Sequence, residues 1–122
     1  MSVQDAINFA KRRRYRDVQV SVDGETLHFR LRSLNAREWL EATAASYVDD
    51  TLQPDMMARF VAYAIVDENG ESPLANEAGV AAVSEWDAAI TRKLFEVVQE
   101  LCGMSSEKKA SSPGQAATSS TG

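Results

Sequence analysis

The chain has 122 residues, 44% hydrophobic and 25% charged, with a formal net charge of −5. Such numbers describe an ordinary globular protein with one domain and at most one flexible extension. They leave no room for a disulfide framework, because Cys102 is the single cysteine, and a lone cysteine suits a reducing compartment.

Net charge hides an asymmetry. Residues 1–33 carry seven Lys/Arg against four Asp/Glu, whereas residues 34–104 carry four against thirteen. A basic end and an acidic body can attract each other within or between chains. No N-terminal apolar stretch reads as a signal peptide, since a basic run follows Met1–Ala10 instead of preceding an apolar segment. The expected setting is cytosolic and soluble.

Taken in order, residues 1–15 form a basic arm or short helix, with Ser2 as cap and Asp5 in its first turn. Asp17–Val22 and Glu25–Arg32 are alternating runs joined by Asp23-Gly24, a type I′ turn signal. A two-residue loop fixes the register at 17–32: Val20 opposes Leu27, Val18 opposes Phe29, Asp17 opposes Arg30, Gln19 opposes His28 and Ser21 opposes Thr26. Apolar side chains then share one face and polar ones the other.

A helix over about 36–48 starts at Asn35, with Glu38 completing a capping box and Leu34 stapling against Trp39. Trp39, Leu40, Thr43, Ala44 and Tyr47 are expected on one face, and Asp49–Pro54 as loop. The next helix, 54–66, is apolar nearly all round with Arg59 as its only charge. Such a helix is usually buried, and it is too short for a bilayer, which takes roughly 17 or more apolar residues. Pro54 suits its first turn. Asp67-Glu68-Asn69-Gly70 ends it, and Glu71–Leu74 is an extended connector.

Asn76–Val83 suggests a short helix interrupted by Gly79. A closing helix over 85–102 has Ser84 as cap, a stripe of Trp86, Ile90, Leu94, Val97, Val98 and Leu101, and Gly103 at its end. The globular domain spans 16–104. Residues 105–122, rich in Ser, Gly, Pro, Thr and Ala, are expected to be a disordered tail. The fold class is α+β: an N-terminal β-hairpin, then a small mostly α-helical bundle.

No catalytic constellation emerges. His28 falls on the polar face of the hairpin, and Cys102 sits at a helix C-terminus, the wrong end for activating a thiol. Asp67–Gly70 fails as a calcium loop, because position twelve from Asp67 is Ala78 and not Glu. No cofactor or metal is implied. Lys11-Arg12-Arg13-Arg14-Tyr15-Arg16 is a basic cluster open to a nucleic-acid reading. The acidic balance, with a pI near 4.8, favours a solvated face or an acidic protein partner instead. Lys11, Arg12, Arg13, Arg14, Trp39 and Trp86 are the candidate partner-binding residues.

The order of these elements resembles a family. Leu34–Trp39, a helix running into Ala64–Gly70, an acidic connector and a closing helix ending Leu101–Ser105 together look like the small tail assembly chaperones of long-tailed bacteriophages. The connector departs from the pattern at Leu74, where an aromatic is usual. The resemblance implies a non-enzymatic protein in the host cytoplasm, absent from the mature virion. It would bind the tape-measure protein and keep it soluble while the tail tube polymerises around it. A frameshifted longer form, for which Lys108-Lys109 marks a possible slippery site, would recruit the tail-tube protein. A homo-oligomer is compatible with this, and a membrane is not expected. The alternatives are a small nucleic-acid-binding regulator using residues 11–16, or a structural tail or head–tail component.

Overall fold

Alternation and turn chemistry act first in this chain. In the computed structural model, which describes residues 2–103, β1 (Tyr15–Val22) and β2 (Glu25–Arg32) form an antiparallel hairpin. Its register is the one expected from the two-residue loop, from Asp17↔Arg30 through Val20↔Leu27 to Ser21↔Thr26. Asp23 and Gly24 take φ of 51° and 83°, the positive values a type I′ turn demands. Pairing also extends two residues further than expected, to Tyr15↔Arg32. Val18, Val20 and Leu31 are buried, while Gln19, Ser21 and His28 face water.

Helix α1 (Val3–Ala10) precedes the hairpin, and the bundle of α2 (Ala36–Ala45), α3 (Met56–Ala64), α4 (Glu77–Ser84) and α5 (Ala88–Leu101) follows it. The centre is α3. Ala58, Phe60, Val61, Ala62 and Ala64 are all buried, and the helix packs against α2, α4 and α5. The inner face of α5, with Leu94, Val97, Val98 and Leu101, lies against α3 and the apolar side of the hairpin. The α+β class stands.

Several boundaries differ from expectation, each for a local reason. The helix expected over 54–66 is shorter at both ends. Pro54 lies in a turn before it, and Ile65-Val66 become a strand, β5, antiparallel to β2. Two consecutive β-branched residues leave the helix where an open sheet edge can pair them. The sheet order is therefore β1-β2-β5. The helix expected over 36–48 stops at Ala45, where the Ser46 hydroxyl donates back to the Ala42 carbonyl at 2.7 Å. Beyond it, the expected loop is a second hairpin, β3 (Tyr47–Val48) with β4 (Thr51–Leu52). Asp49 and Asp50 both sit at positive φ, 51° and 63°.

Gly79 does not interrupt α4, which runs unbroken through it. Ser84 ends α4 instead of capping the closing helix, donating its hydroxyl to the Val80 carbonyl at 2.9 Å. Asp87 caps α5, accepting from the Ala89 N–H at 2.8 Å. Trp86, expected within a helix over 85–102, thus lies in the α4–α5 link, before α5 begins at Ala88. The Asp67–Gly70 turn is closed by the Asp67 carboxylate, which accepts from the N–H groups of Asn69 (2.9 Å) and Glu71 (3.0 Å). The expected tail, 105–122, with Lys108-Lys109, lies outside the described residues.

The second turn carries a measurable strain. A non-glycine residue in the left-handed region is disfavoured by about 1 kcal/mol, less for Asp than for most. Asp50→Gly, which recreates the Asp-Gly of the first turn, should therefore stabilise the fold by about 0.5–1 kcal/mol. The urea midpoint is the readout, and an unchanged or lower midpoint contradicts the assigned turn.

Candidate interaction surfaces

The basic cluster is divided by the fold. Arg13 reaches the Glu38 carboxylate at 2.5 Å and the Ser33 carbonyl at 2.8 Å. Arg14 donates to the Leu101 carbonyl, a free acceptor at the C-terminal end of α5. Arg16 pairs with Glu100 at 2.6 Å. These three arginines tie the start of β1 to α2 and α5. Lys11 and Arg12 make no ion pair among the described residues, and Arg12 lies over the Phe9 ring at 5.2 Å. A cleft of about 420 Å³ runs between this segment and the Ser33–Asn35 approach to α2.

Glu38 is where this network meets the helix start. Its N–H is accepted by the Asn35 side chain at 2.8 Å and its carboxylate accepts from the Asn35 N–H at 2.9 Å, completing the box expected from the sequence. The same carboxylate holds Arg13 and, at 3.3 Å, Arg32. Burial pushes the Glu38 carboxyl upward, but the Arg13 hydrogen bond, the Asn35 N–H and the two guanidinium charges outweigh it. The net shift is below the ordinary glutamate value. Burial likewise holds Arg32 below its usual range, only partly offset by Glu38.

Because the folded pKa is depressed, this contribution is complete above the unfolded glutamate pKa, about 4.3. It fades as pH falls through the lower folded value. Glu38→Gln should cost about 1–2 kcal/mol at pH 7, through the lost charge on two arginines and a weaker cap. Urea unfolding between pH 7 and pH 3 checks this. The variant should show a shallower acid loss than the parent, and parallel curves would contradict the assignment.

The tryptophans sit at the rim of the core. Trp39 meets Phe60 with ring centroids 4.8 Å apart, and Phe60 meets Phe95 at 6.1 Å. Trp86 covers Phe29 of the sheet at 5.8 Å. Both are half-buried. Neither is brought together with the basic cluster into one site.

Two apolar surfaces that sequence reasoning did not single out are open to water. One is α1, in which no residue is buried and Val3 and Phe9 are 78% and 56% exposed. The other is the outer side of α2 with the β3–β4 hairpin, where Leu40 (67% exposed), Tyr47, Val48 and Leu52 are uncovered. The sequence placed Leu40, Ala44 and Tyr47 with Trp39 on one face. In the fold Trp39, Ala42, Thr43 and Ser46 turn inward, and Leu40, Ala44 and Tyr47 turn out. The signal for the hairpin was present in Tyr47–Leu52, whose apolar residues flank a two-residue turn, but Asp-Asp lacks the glycine that marks such turns.

No family model, curated protein or solved structure matches the chain. The chemistry of the site therefore rests on its own residues. Among the described residues no cluster of His, Cys, Asp and Glu is arranged to hold a metal. None of the described helices is long and apolar enough to cross a membrane. His28 is exposed opposite Gln19, and Cys102 is half-buried at the end of α5.

Proposed function

We propose that this protein works by binding another protein and not by catalysis, as a tail assembly chaperone that keeps a long helical tape-measure protein soluble. The observation that carries the reading is the pair of uncovered apolar surfaces, α1 and the α2–β3–β4 face, on a body whose 34–104 segment is strongly acidic. Exposed apolar groups give a client helix somewhere to lie. The surplus of carboxylates keeps the complex in solution. The order of capped helix, buried helix leading through β5 to Asp67–Gly70 and closing helix into Leu101-Cys102-Gly103 adds the family resemblance. On this reading the protein acts in the host cytoplasm and leaves before the virion is complete, with a frameshifted form engaging the tail-tube protein.

A regulator that binds nucleic acid through residues 11–16 fits less well, since Arg13, Arg14 and Arg16 already have partners within the fold. The deciding experiment is co-expression with the tape-measure protein encoded in the same genome. Soluble yield of that protein should rise several-fold and the two should co-purify. Leu40→Glu and Leu52→Glu variants, altered only on the surface, should lose the effect. Unchanged yield without co-purification would remove the proposal.

A further inference from the structure

The two uncovered surfaces are complementary to each other. The arm α1 carries a stripe of Val3, Ala6, Ile7 and Ala10 at helical spacing. Its connection to the body carries Lys11 and Arg12, the two cations of the cluster whose side chains have neither an ion pair nor a hydrogen bond among the described residues. The face formed by Leu40, Ala44, Tyr47 and Leu52 is accompanied by Glu41, Asp49 and Asp50. None of these three makes an ion pair among the described residues. Arg37 is the only Lys or Arg between residues 36 and 55. Apolar stripe and basic base on one side thus answer apolar face and acidic rim on the other.

Within one chain the two do not meet, since every residue of α1 is exposed and so are Leu40, Tyr47 and Leu52. The base of the arm is also held away from β3–β4. Arg13 is bonded to Glu38 in the first turn of α2, whereas the hairpin follows the last turn. A ten-residue helix separates them by about 15 Å.

We infer that the occupant of the α2–β3–β4 face is the α1 arm of a second copy of this chain. Exchange of arms is reciprocal, so two contacts close a two-fold pair with no surface left to propagate. One eight-residue arm covers too little area for a stable contact, and two reciprocal arms approach the roughly 1,000 Å² a specific interface needs. The Lys11 and Arg12 contacts with acidic side chains set the register and make the association salt-sensitive. The pair covers the same faces that the client reading offers to a partner helix, so a client must displace the arms; sedimentation of the purified chain involves no client and tests the pair separately from that reading.

The test is sedimentation velocity of the full chain across a concentration series at low and high salt. A monomer–dimer equilibrium that weakens with salt is expected. Ile7→Glu and Leu52→Glu change exposed or half-exposed surface side chains, and circular dichroism verifies that each variant stays folded. Each should weaken dimerisation roughly tenfold or more. Charge reversal at Lys11 and Arg12 should weaken the dimer, and a matching reversal at Asp49 and Asp50 should restore it. A monomer at every concentration overturns the inference. So does a dimer indifferent to both apolar variants, which would use another face. Loss of monomer thermal stability in Ile7→Glu without any change in mass also overturns it, since the arm would then dock on its own chain.

Discussion

Replacing Gly79 with alanine should destabilise the fold by about 2–4 kcal/mol, although alanine is the better helix former by roughly 1 kcal/mol. Gly79 is buried in the first turn of α4, with ordinary helical φ, so its backbone freedom is not the issue. Space is. A Cβ at this position would lie 2.0 Å from the Leu74 carbonyl oxygen and 2.5 Å from the Leu74 Cα. The obstacle is main chain and cannot rotate away. It is also tethered: the Leu74 carbonyl accepts from the Asn76 N–H at 2.8 Å, and the Asn76 side chain caps α4 by accepting from the Gly79 N–H at 2.7 Å. To admit the methyl group, the 72–76 segment must shift and loosen the cap, or α4 must move off α3. Thermal unfolding reads the result, with a fall in Tm of roughly 10–20 °C for a domain of this size. An Asn76→Ala variant measures the cap alone and should cost only about 1 kcal/mol. If Gly79→Ala proves as stable as the parent, the packing of the 71–74 connector against α4 is wrong.

That position shows where a sequence is legible and where it is not. The hairpin's register could be read to the residue, because alternation and Asp23-Gly24 are both local and agree. The Asn35–Glu38 box is local too, as is the Ile90–Leu101 stripe of α5. Gly79 was visible only as a helix weakness. Its reason, a neighbouring backbone five residues earlier in the chain, exists only once the connector folds back. In α2 apolar residues occur on both sides, so hydrophobicity alone could not choose between Trp39 with Ala42 and Leu40 with Ala44. Packing of Trp39 on Phe60 chose the first pair. The basic cluster read as one patch because its neutralising partners, Glu38, Glu100 and the Leu101 carbonyl, lie 25 to 87 residues away. The candidate surfaces were accordingly less legible than the fold. What remains exposed is what the rest of the chain failed to cover, and that depends on every other contact.

Arg59 is the clearest case of a residue whose meaning is non-local, and it leads to an ordering of variants. It was legible only as the one charge in a greasy helix. In the fold its side chain is 5% exposed, and its guanidinium takes the Glu77 carboxylate at 2.5 and 3.2 Å and Asp55 at 3.1 Å. The Glu77 hydrogen bond raises the Arg59 pKa above its usual value despite burial, and the same bond holds the Glu77 carboxyl below its own. The arrangement staples α3 to the first turn of α4, where a carboxylate also suits the helix dipole. It is not complete, for the Arg59 Nε and one Asp55 oxygen are buried without hydrogen-bond partners. The two sides of the staple are unequal. Glu77 is 77% exposed and can return to water if Arg59 is removed, whereas Arg59 has no such exit if the carboxylates are removed. Asp55→Asn with Glu77→Gln should therefore strand a buried guanidinium at a cost of about 2–3 kcal/mol, below the range for fully enclosed pairs because the Glu77 side opens to solvent. Arg59→Met keeps the apolar stem, releases Glu77 to water and removes the orphaned Nε, leaving only the partly exposed Asp55 without its partner, and should cost about 1 kcal/mol, less than the double variant. The acid response separates them further. Glu77 has a depressed folded pKa, so its contribution is present above the ordinary glutamate range and lost as pH falls below it. The parent should show that loss, and Arg59→Met should lack this part of it. Urea midpoints for the three proteins at pH 7 and pH 3.5 decide the matter. Equal losses in Arg59→Met and the double variant at pH 7 would mean that the staple stabilises through the ion pair itself and not by sparing Arg59 an uncompensated burial.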